Sequence, residues 1–274
     1  MPSAPIGQLA GSVERIAAPF GPEAFETQCG VKVRGTRIVD HFAPRATVDA
    51  LSGAGDALRI DHLDPPAASI LLRFEHDVGT VIPLLPGFIA ALTFDEGELV
   101  DVAYEPSANN YRWSDYQMQA ADVRALRAVA ASASQHGRFR LEGADAISVA
   151  QKMQYAKGLD PTLAVYAAYA YHDLQANDRI HHMSQFLRQD LGVTLFDLAL
   201  LDRALVDKAI TADAGVVPFV PLLSQGWALL PAHRVRLHPA LDGIEHCMRD
   251  STWSLFDAAG LHKLKQALGS KEVR

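Results

Sequence analysis

The stretch Tyr104-Glu-Pro-Ser-Ala-Asn-Asn-Tyr-Arg-Trp113 divides the chain. Before it, apolar residues recur at every second position; after it, they recur at every third or fourth. Period two belongs to a strand with one buried face, and period 3.6 to a helix with an apolar stripe. The expected fold class is therefore α+β. An arm of residues 1–22 precedes an N-terminal antiparallel β-sandwich-like module over 23–106, and a multi-helix module of helical hairpins covers 114–274. The arm holds Pro2, Pro5, Pro19 and Pro22, with Val13–Ala18 as one short element.

Strand signals run outward from the divide. Phe88, Ala90, Leu92 and Phe94 lie on one face of a strand. Asp95-Glu96-Gly97 supplies a turn, and Val100, Val102 and Tyr104 return. Glycine takes positive φ without steric cost, so this reads as a hairpin. Ala68, Ile70, Leu72 and Phe74 alternate with Ser69, Leu71, Arg73 and Glu75. Val31 and Val33 precede Gly35-Thr36, and Ile38-Val39 follow, which predicts a tight connection.

On the other side, Ser114-Asp-Tyr-Gln117 and Thr194-Leu-Phe-Asp197 read as capping boxes. Helices are expected over Ala144–Lys157, from Asp160-Pro161 to Leu174, from Asn177 to Gly192, and from Thr194 through Leu205. A short helix between Pro221 and Pro231, another over Leu241–Met248, and Trp253–Ala259 with Leu261–Leu268 complete the chain.

Charge is uneven. Residues 1–110 hold 7 Lys+Arg and 15 Asp+Glu, and residues 111–274 hold 18 and 17, within a net charge of −7. An acidic front repels phosphate backbones, so nucleic acid is not an expected partner, whereas a basic protein surface is compatible. No apolar run reaches the ~20 residues of a membrane span. Two cysteines, Cys29 and Cys247, make no disulfide framework, and a cytoplasmic setting is expected.

Chemistry-bearing residues are few. Cys29 with His41 has the composition of a thiol–imidazole pair, the machinery of a cysteine-dependent hydrolase; a strand context instead suits a small core residue. His246-Cys247 has its two side chains pointing apart on a helix. Around His181-His182 only Asp178 could join His182 as a second ligand on the same helix face, and a solvated or capping role is expected rather than a metal. Ser224 in Leu223-Ser-Gln-Gly226 lacks the glycine two positions earlier that a nucleophile elbow needs. With no glycine-rich phosphate loop, no cofactor is expected.

Two groups could contact a partner. Arg234, Arg236 and His238 alternate with Val235 and Leu237, so an extended segment would align the cations for an anion. The same pattern fits an edge strand guarded by charge. Tyr111, Trp113 and Tyr116 form an aromatic junction, suited either to recognition or to packing the two modules together.

The segments Leu99–Tyr116 and Asp160-Pro-Thr-Leu-Ala-Val-Tyr-Ala-Ala-Tyr-Ala-Tyr171 resemble accessory regions that accompany caspase-like peptidases in bacteria, over about residues 85–260. Such a peptidase needs a His-Gly and a later cysteine in an α/β core. Here His136-Gly137 is followed by no suitable cysteine, so the resemblance implies a non-catalytic companion and transfers no active-site residue. The expected function is that of a non-enzymatic interaction or regulatory protein. Its partner would be another protein, a protease or its regulator, with the Cys29/His41 hydrolase as the alternative.

Overall fold

The computed structural model describes residues 29–50, 56–135, 138–143 and 145–274. The arm, its Val13–Ala18 element and His136-Gly137 lie outside the described residues. Among the described residues a strand-rich region precedes a region of helices joined by short strand pairs. No helix among the described residues is long and apolar enough to cross a membrane.

Eight strands build two sheets: β1 (Cys29–Arg34), β2 (Ile38–Phe42), β3 (Ala46–Ala50), β4 (Ala57–Leu63), β5 (Ala68–Phe74), β6 (Gly79–Leu84), β7 (Phe88–Asp95) and β8 (Glu98–Pro106). The larger sheet has the order β3-β4-β1-β7-β8, and the smaller has β2-β5-β6. The expectation of antiparallel pairing fails at one place, because β1 runs parallel to β7. The turn at Gly35-Thr36 hands the chain from one sheet to the other. β1 and β2 therefore do not pair, and β7 enters beside β1 in the same direction. The β7–β8 hairpin is as expected: Glu96 (φ 50) and Gly97 (φ 86) both take the left-handed values of a tight two-residue turn.

The helices are α1 (Trp113–Ser132), α2 (Ala146–Ala156), α3 (Pro161–Asp173), α4 (Asn177–Leu191), α5 (Phe196–Leu201) and α6 (Ala258–Gly269). Short pairs join them: β9 (Ser134–Gln135) with β10 (Arg138–Phe139), and β11 (Thr194–Leu195) with β12 (Val216–Val217). Asp160 caps α3 by accepting from Thr162 N, Pro161 occupies the first turn, and every residue from Pro161 to Tyr171 is buried. Gly192 ends α4 in the left-handed region.

Four helix expectations need correction. α1 starts at Trp113 with Arg112 as its cap residue, so Ser114 makes no capping bond. Neither does Thr194, which is taken up in β11 while α5 stops at Leu201 rather than Leu205. Leu241–Met248 is not a helix; two short 3-10 turns, Pro239–Leu241 and Ile244–Cys247, occupy this region. Trp253 is extended and bridges Leu223, leaving α6 to begin at Ala258 behind its Asp257 cap. For Thr194 and Trp253 a backbone partner elsewhere in the chain outweighs the local signal.

One apolar cluster takes residues from both sheets and from α1 to α5. Phe74 and Phe94, on different sheets, meet edge-on at 4.7 Å. The end of the chain returns to the smaller sheet. Gly79 and Phe256 exchange backbone hydrogen bonds of 2.9 and 2.8 Å, and Thr80 Oγ1 donates to Ser254 O at 2.6 Å.

Ions sit inside this core. Arg127 of α1 donates to Asp101 Oδ2 of β8 through Nη2 (2.7 Å) and Nε (3.2 Å), and its Nε lies 3.9 Å from Asp160 Oδ2. All three side chains are at most 2% exposed. Asp160 Oδ1 also accepts from Tyr104 N at 3.1 Å and Thr162 Oγ1 at 2.6 Å. One carboxylate thus joins β8, α1 and the start of α3. Burial pushes Asp160 up to about 6 and raises Asp101, with Arg127 pulling both the other way. Burial also works against the guanidinium charge, but its carboxylate neighbours together outweigh it.

Removing the cation alone strands two carboxylates. Arg127→Met is expected to lower the urea unfolding free energy by about 3–5 kcal/mol. Arg127→Lys, which keeps the charge without the fork, should lose less.

Candidate binding groove

Two clefts adjoin where the sheets meet the helical segment. The first, of about 850 Å³, is floored by Phe139, Tyr169, Ser224 and Leu229. The second, of about 940 Å³, lies among three turns, Gly35-Thr36, Glu75–Asp77 and Glu96-Gly97. They share Glu98, Met248, Arg249 and Asp250, and so lie side by side about a common wall. Its wall segments lie far apart in sequence, and turns at the end of a sheet pair are a common place for binding loops.

The groove is acidic. Glu98, Asp173, Glu245 and Asp250 line the first cleft; Glu75, Asp77, Glu96 and Asp257 add to the second. Among the described residues two guanidiniums line the clefts, Arg138 and Arg249, and Arg73 outside them pairs with Asp77 at 3.0 Å. Asp173 is the last residue of α3, where the helix carbonyls already carry partial negative charge, so its position deepens the potential. His172 beside it is lowered by burial, which keeps its imidazole neutral at pH 7.

The floor is fixed from beneath. Asp197, a fully buried residue of α5, accepts from Tyr169 Oη (2.8 Å), Leu222 N (2.6 Å) and Leu223 N (3.2 Å). Burial pushes its carboxyl up to about 6 against those three donors. Gly226 closes the arrangement, since a Cβ there would stand 2.5 Å from Tyr169 Oη. Ser224 Oγ is buried and has no hydrogen-bond partner among the described residues.

The residues picked out in the sequence fall elsewhere. Tyr111 is 77% exposed beneath the Arg112 guanidinium, which lies 4.3 Å from its ring centroid. Trp113 stacks on Tyr116, which is buried and touches neither cleft wall. Arg234 does not continue an extended strand: its φ is 52, and it pairs with Asp207 at 2.8 Å. Arg236 is exposed, while His238 accepts from Ala240 N and contacts Glu272. The three therefore do not align as one cationic row, because a turn and two carboxylates intervene.

The thiol–imidazole pair is not assembled as a nucleophile. Cys29 is 3% exposed, and burial pushes its thiol up to about 12, the reverse of activation. His41 stands on β2, in the other sheet, opposite Leu72. His181 Nδ1 contacts Asp202 at 2.9 Å and its Nε2 contacts Gln185, so both ring nitrogens are engaged without a metal. No group of three potential metal ligands occurs among the described residues.

The sequence offers Ser224 only as an incomplete nucleophile elbow and Tyr169 as a core or groove-lining ring, and does not link Tyr169 to Asp197. The available signal was a lone aspartate inside Leu195-Phe-Asp-Leu-Ala-Leu-Leu201, because a charge in an apolar run needs buried donors. No protein-family model, curated protein or solved structure matches the chain.

Two outcomes check this description. Cys29 should resist a thiol-directed reagent in native protein at pH 8 and react at once in denaturant, as read by mass spectrometry. For Asp197, the folded carboxyl keeps its proton up to about pH 6, whereas an unfolded aspartate releases it near 3.8. Between these values the folded state binds more protons, so this site favours folding in acid and the contribution is lost as pH rises through 6. The stability gap between wild type and Asp197→Asn should therefore widen in favour of wild type from pH 7 to pH 4.5 in urea titrations.

Proposed function

We propose that this chain is a non-enzymatic protein-interaction module whose groove seats an extended, cationic segment of a partner protein. The observation that carries the reading is the groove itself: two adjoining open clefts with eight carboxylates, two guanidiniums and an aromatic floor. Ammonium and guanidinium groups gain from such a potential, and long-stemmed Lys and Arg lay their methylenes on an apolar floor. An extended chain fits an open trough that runs between turns.

In this reading the two sheets form a sandwich-like frame, and α2, α3 and α4 act as helical hairpins that hold the opposite wall. The likeness of residues 85–260 to accessory regions of bacterial caspase-like peptidases makes a peptidase, or a regulator of one, the first partner to test. A cytoplasmic setting accords with the buried, protonated thiol of Cys29.

Fluorescence anisotropy with a library of short unstructured peptides tests the reading. Lys/Arg-rich members should bind, Glu-rich members should not, and affinity should fall with salt because the contacts are solvent-exposed charges. Reversing two wall charges, with Asp173→Lys and Asp250→Lys together, should weaken binding by about tenfold or more, since ~1.4 kcal/mol suffices for that factor. Equal binding by wild type and the double variant would remove the groove from consideration.

A further inference from the structure

Among the described residues, β2 is an outer strand of the smaller sheet, paired along one edge only. The direction of its backbone groups follows from its neighbour. Phe74 N donates to Val78 O on the β6 side, and Glu75 N donates to Arg37 O on the β2 side. An antiparallel ladder alternates, so the even-numbered residues of β5 turn their N–H and C=O toward β6 and the odd-numbered ones toward β2. His41 stands opposite Leu72, an even position. Its own N–H and C=O therefore point away from the sheet. A side chain covers the N–H: Asp40 Oδ1 accepts it at 2.9 Å.

A hollow adjoins this edge, between β2 and α6. It measures about 190 Å³, less than the roughly 300 Å³ at which sites for whole small molecules begin, and so has room for one side chain. Strand alternation puts Asp40 and Phe42 on the face of Arg73 and Leu71, their partners across the ladder. Leu261 and Lys265, four residues apart, share the facing side of α6. Phe42, Leu71 and Leu261 give the hollow an apolar floor. At its rim Asp40 Oδ2 lies 3.8 Å from Arg73 Nε and 3.9 Å from Lys265 Nζ. Arg73 also reaches Asp77 at 3.0 Å. Lys265 is left sharing one carboxylate, at a distance too long for a hydrogen bond, with its Nζ 5.4 Å over the Phe42 ring.

We propose that the outer edge of β2 is a strand-addition site for an extended segment of a partner protein with the pattern apolar–x–acidic. The middle residue exchanges both main-chain bonds with His41 in antiparallel pairing, and its carbonyl takes the N–H from Asp40. The two flanking residues then stand opposite Asp40 and Phe42 and project on the same face as they do. One fills the hollow with an apolar side chain, and the other brings a carboxylate to Lys265. Main-chain bonds supply affinity in such an arrangement, and the hollow supplies selectivity. Asp40 is the guard of the free edge, a charge that an incoming strand must displace. Ala258 lines both this hollow and the second cleft, but the charge sought here is opposite to that of the acidic groove, so the two sites are separable.

Fluorescence anisotropy on the full chain tests the site with two labelled peptides, Thr-Thr-Leu-Thr-Glu-Thr-Thr and Thr-Thr-Glu-Thr-Leu-Thr-Thr. One of the two orders should bind. Placing Glu directly beside Leu sends the two side chains to opposite faces and should weaken binding by about fivefold or more, as should His41→Pro, since one main-chain hydrogen bond is worth about that factor. Proline at this position removes an outward N–H and no ladder bond, which an edge strand tolerates. Asp40→Ala uncovers the N–H and should tighten binding. Lys265→Glu should reverse the preference, so that the peptide with Lys in place of Glu becomes the better ligand. The groove variant Asp173→Lys/Asp250→Lys should bind undiminished. Failure of both orders to bind, equal binding with Glu beside Leu, or indifference to Lys265→Glu would overturn the proposal. Sedimentation of the free protein covers the other occupant: a dimer that His41→Pro dissociates would give the edge to a second copy and overturn it too.

Discussion

The strand-rich and helical segments meet at a buried cation. Arg127 reaches from α1 to Asp101 on β8 and to Asp160 at the head of α3. Desolvating a guanidinium costs several kcal/mol, and that cost is offset only when its partners are fixed. Here the partners are fixed by the chain itself. Asp160 is held by three donors from Tyr104 and Thr162, and Asp101 lies in the middle of a paired strand. A hydrophobic contact would tolerate sliding of the helices over the sheet. A forked hydrogen bond does not, so the register between the strand-rich and helical segments is set by charge and the rest of the contact by apolar filling.

The aromatic junction has a smaller part than its residues suggest. Trp113 and Tyr116 stack, and Tyr116 is buried, but Tyr111 stands in solvent with Arg112 over it. The larger tie lies further along, where Tyr166 meets Phe139 at 4.8 Å and Trp253 at 5.6 Å. These rings come from α3, β10 and the extended segment before α6. They sit beside the groove floor, so the packing that closes the core also fixes one wall of the trough.

Sequence alone conveyed the elements whose signals are local. The β7–β8 hairpin follows from Glu96-Gly97, α3 from Asp160-Pro161, and the end of α4 from Gly192. It did not convey where long-range partners override such signals. Thr194 had a cap to offer but found a strand partner in Val216. The inner stripe of α1 runs Tyr116, Val123, Arg127, Ala130, while Met118 is 76% exposed. An arginine on the inner face breaks an apolar count, and nothing local shows that two aspartates await it. The groove was illegible for the same reason: its walls come from six or more segments that only folding brings together.

The last strand edge is closed very late in the chain. β6 is covered by residues around Ser254 and Phe256, and Thr80 waits for an acceptor 174 positions downstream. During synthesis the smaller sheet therefore emerges with a bare edge that persists until the segment around Ser254, 174 positions beyond Thr80, has left the ribosome. An unprotected edge invites pairing with a neighbouring nascent chain. Translation speed and chaperone supply, more than the intrinsic stability of the finished protein, would then govern how much of it is recovered.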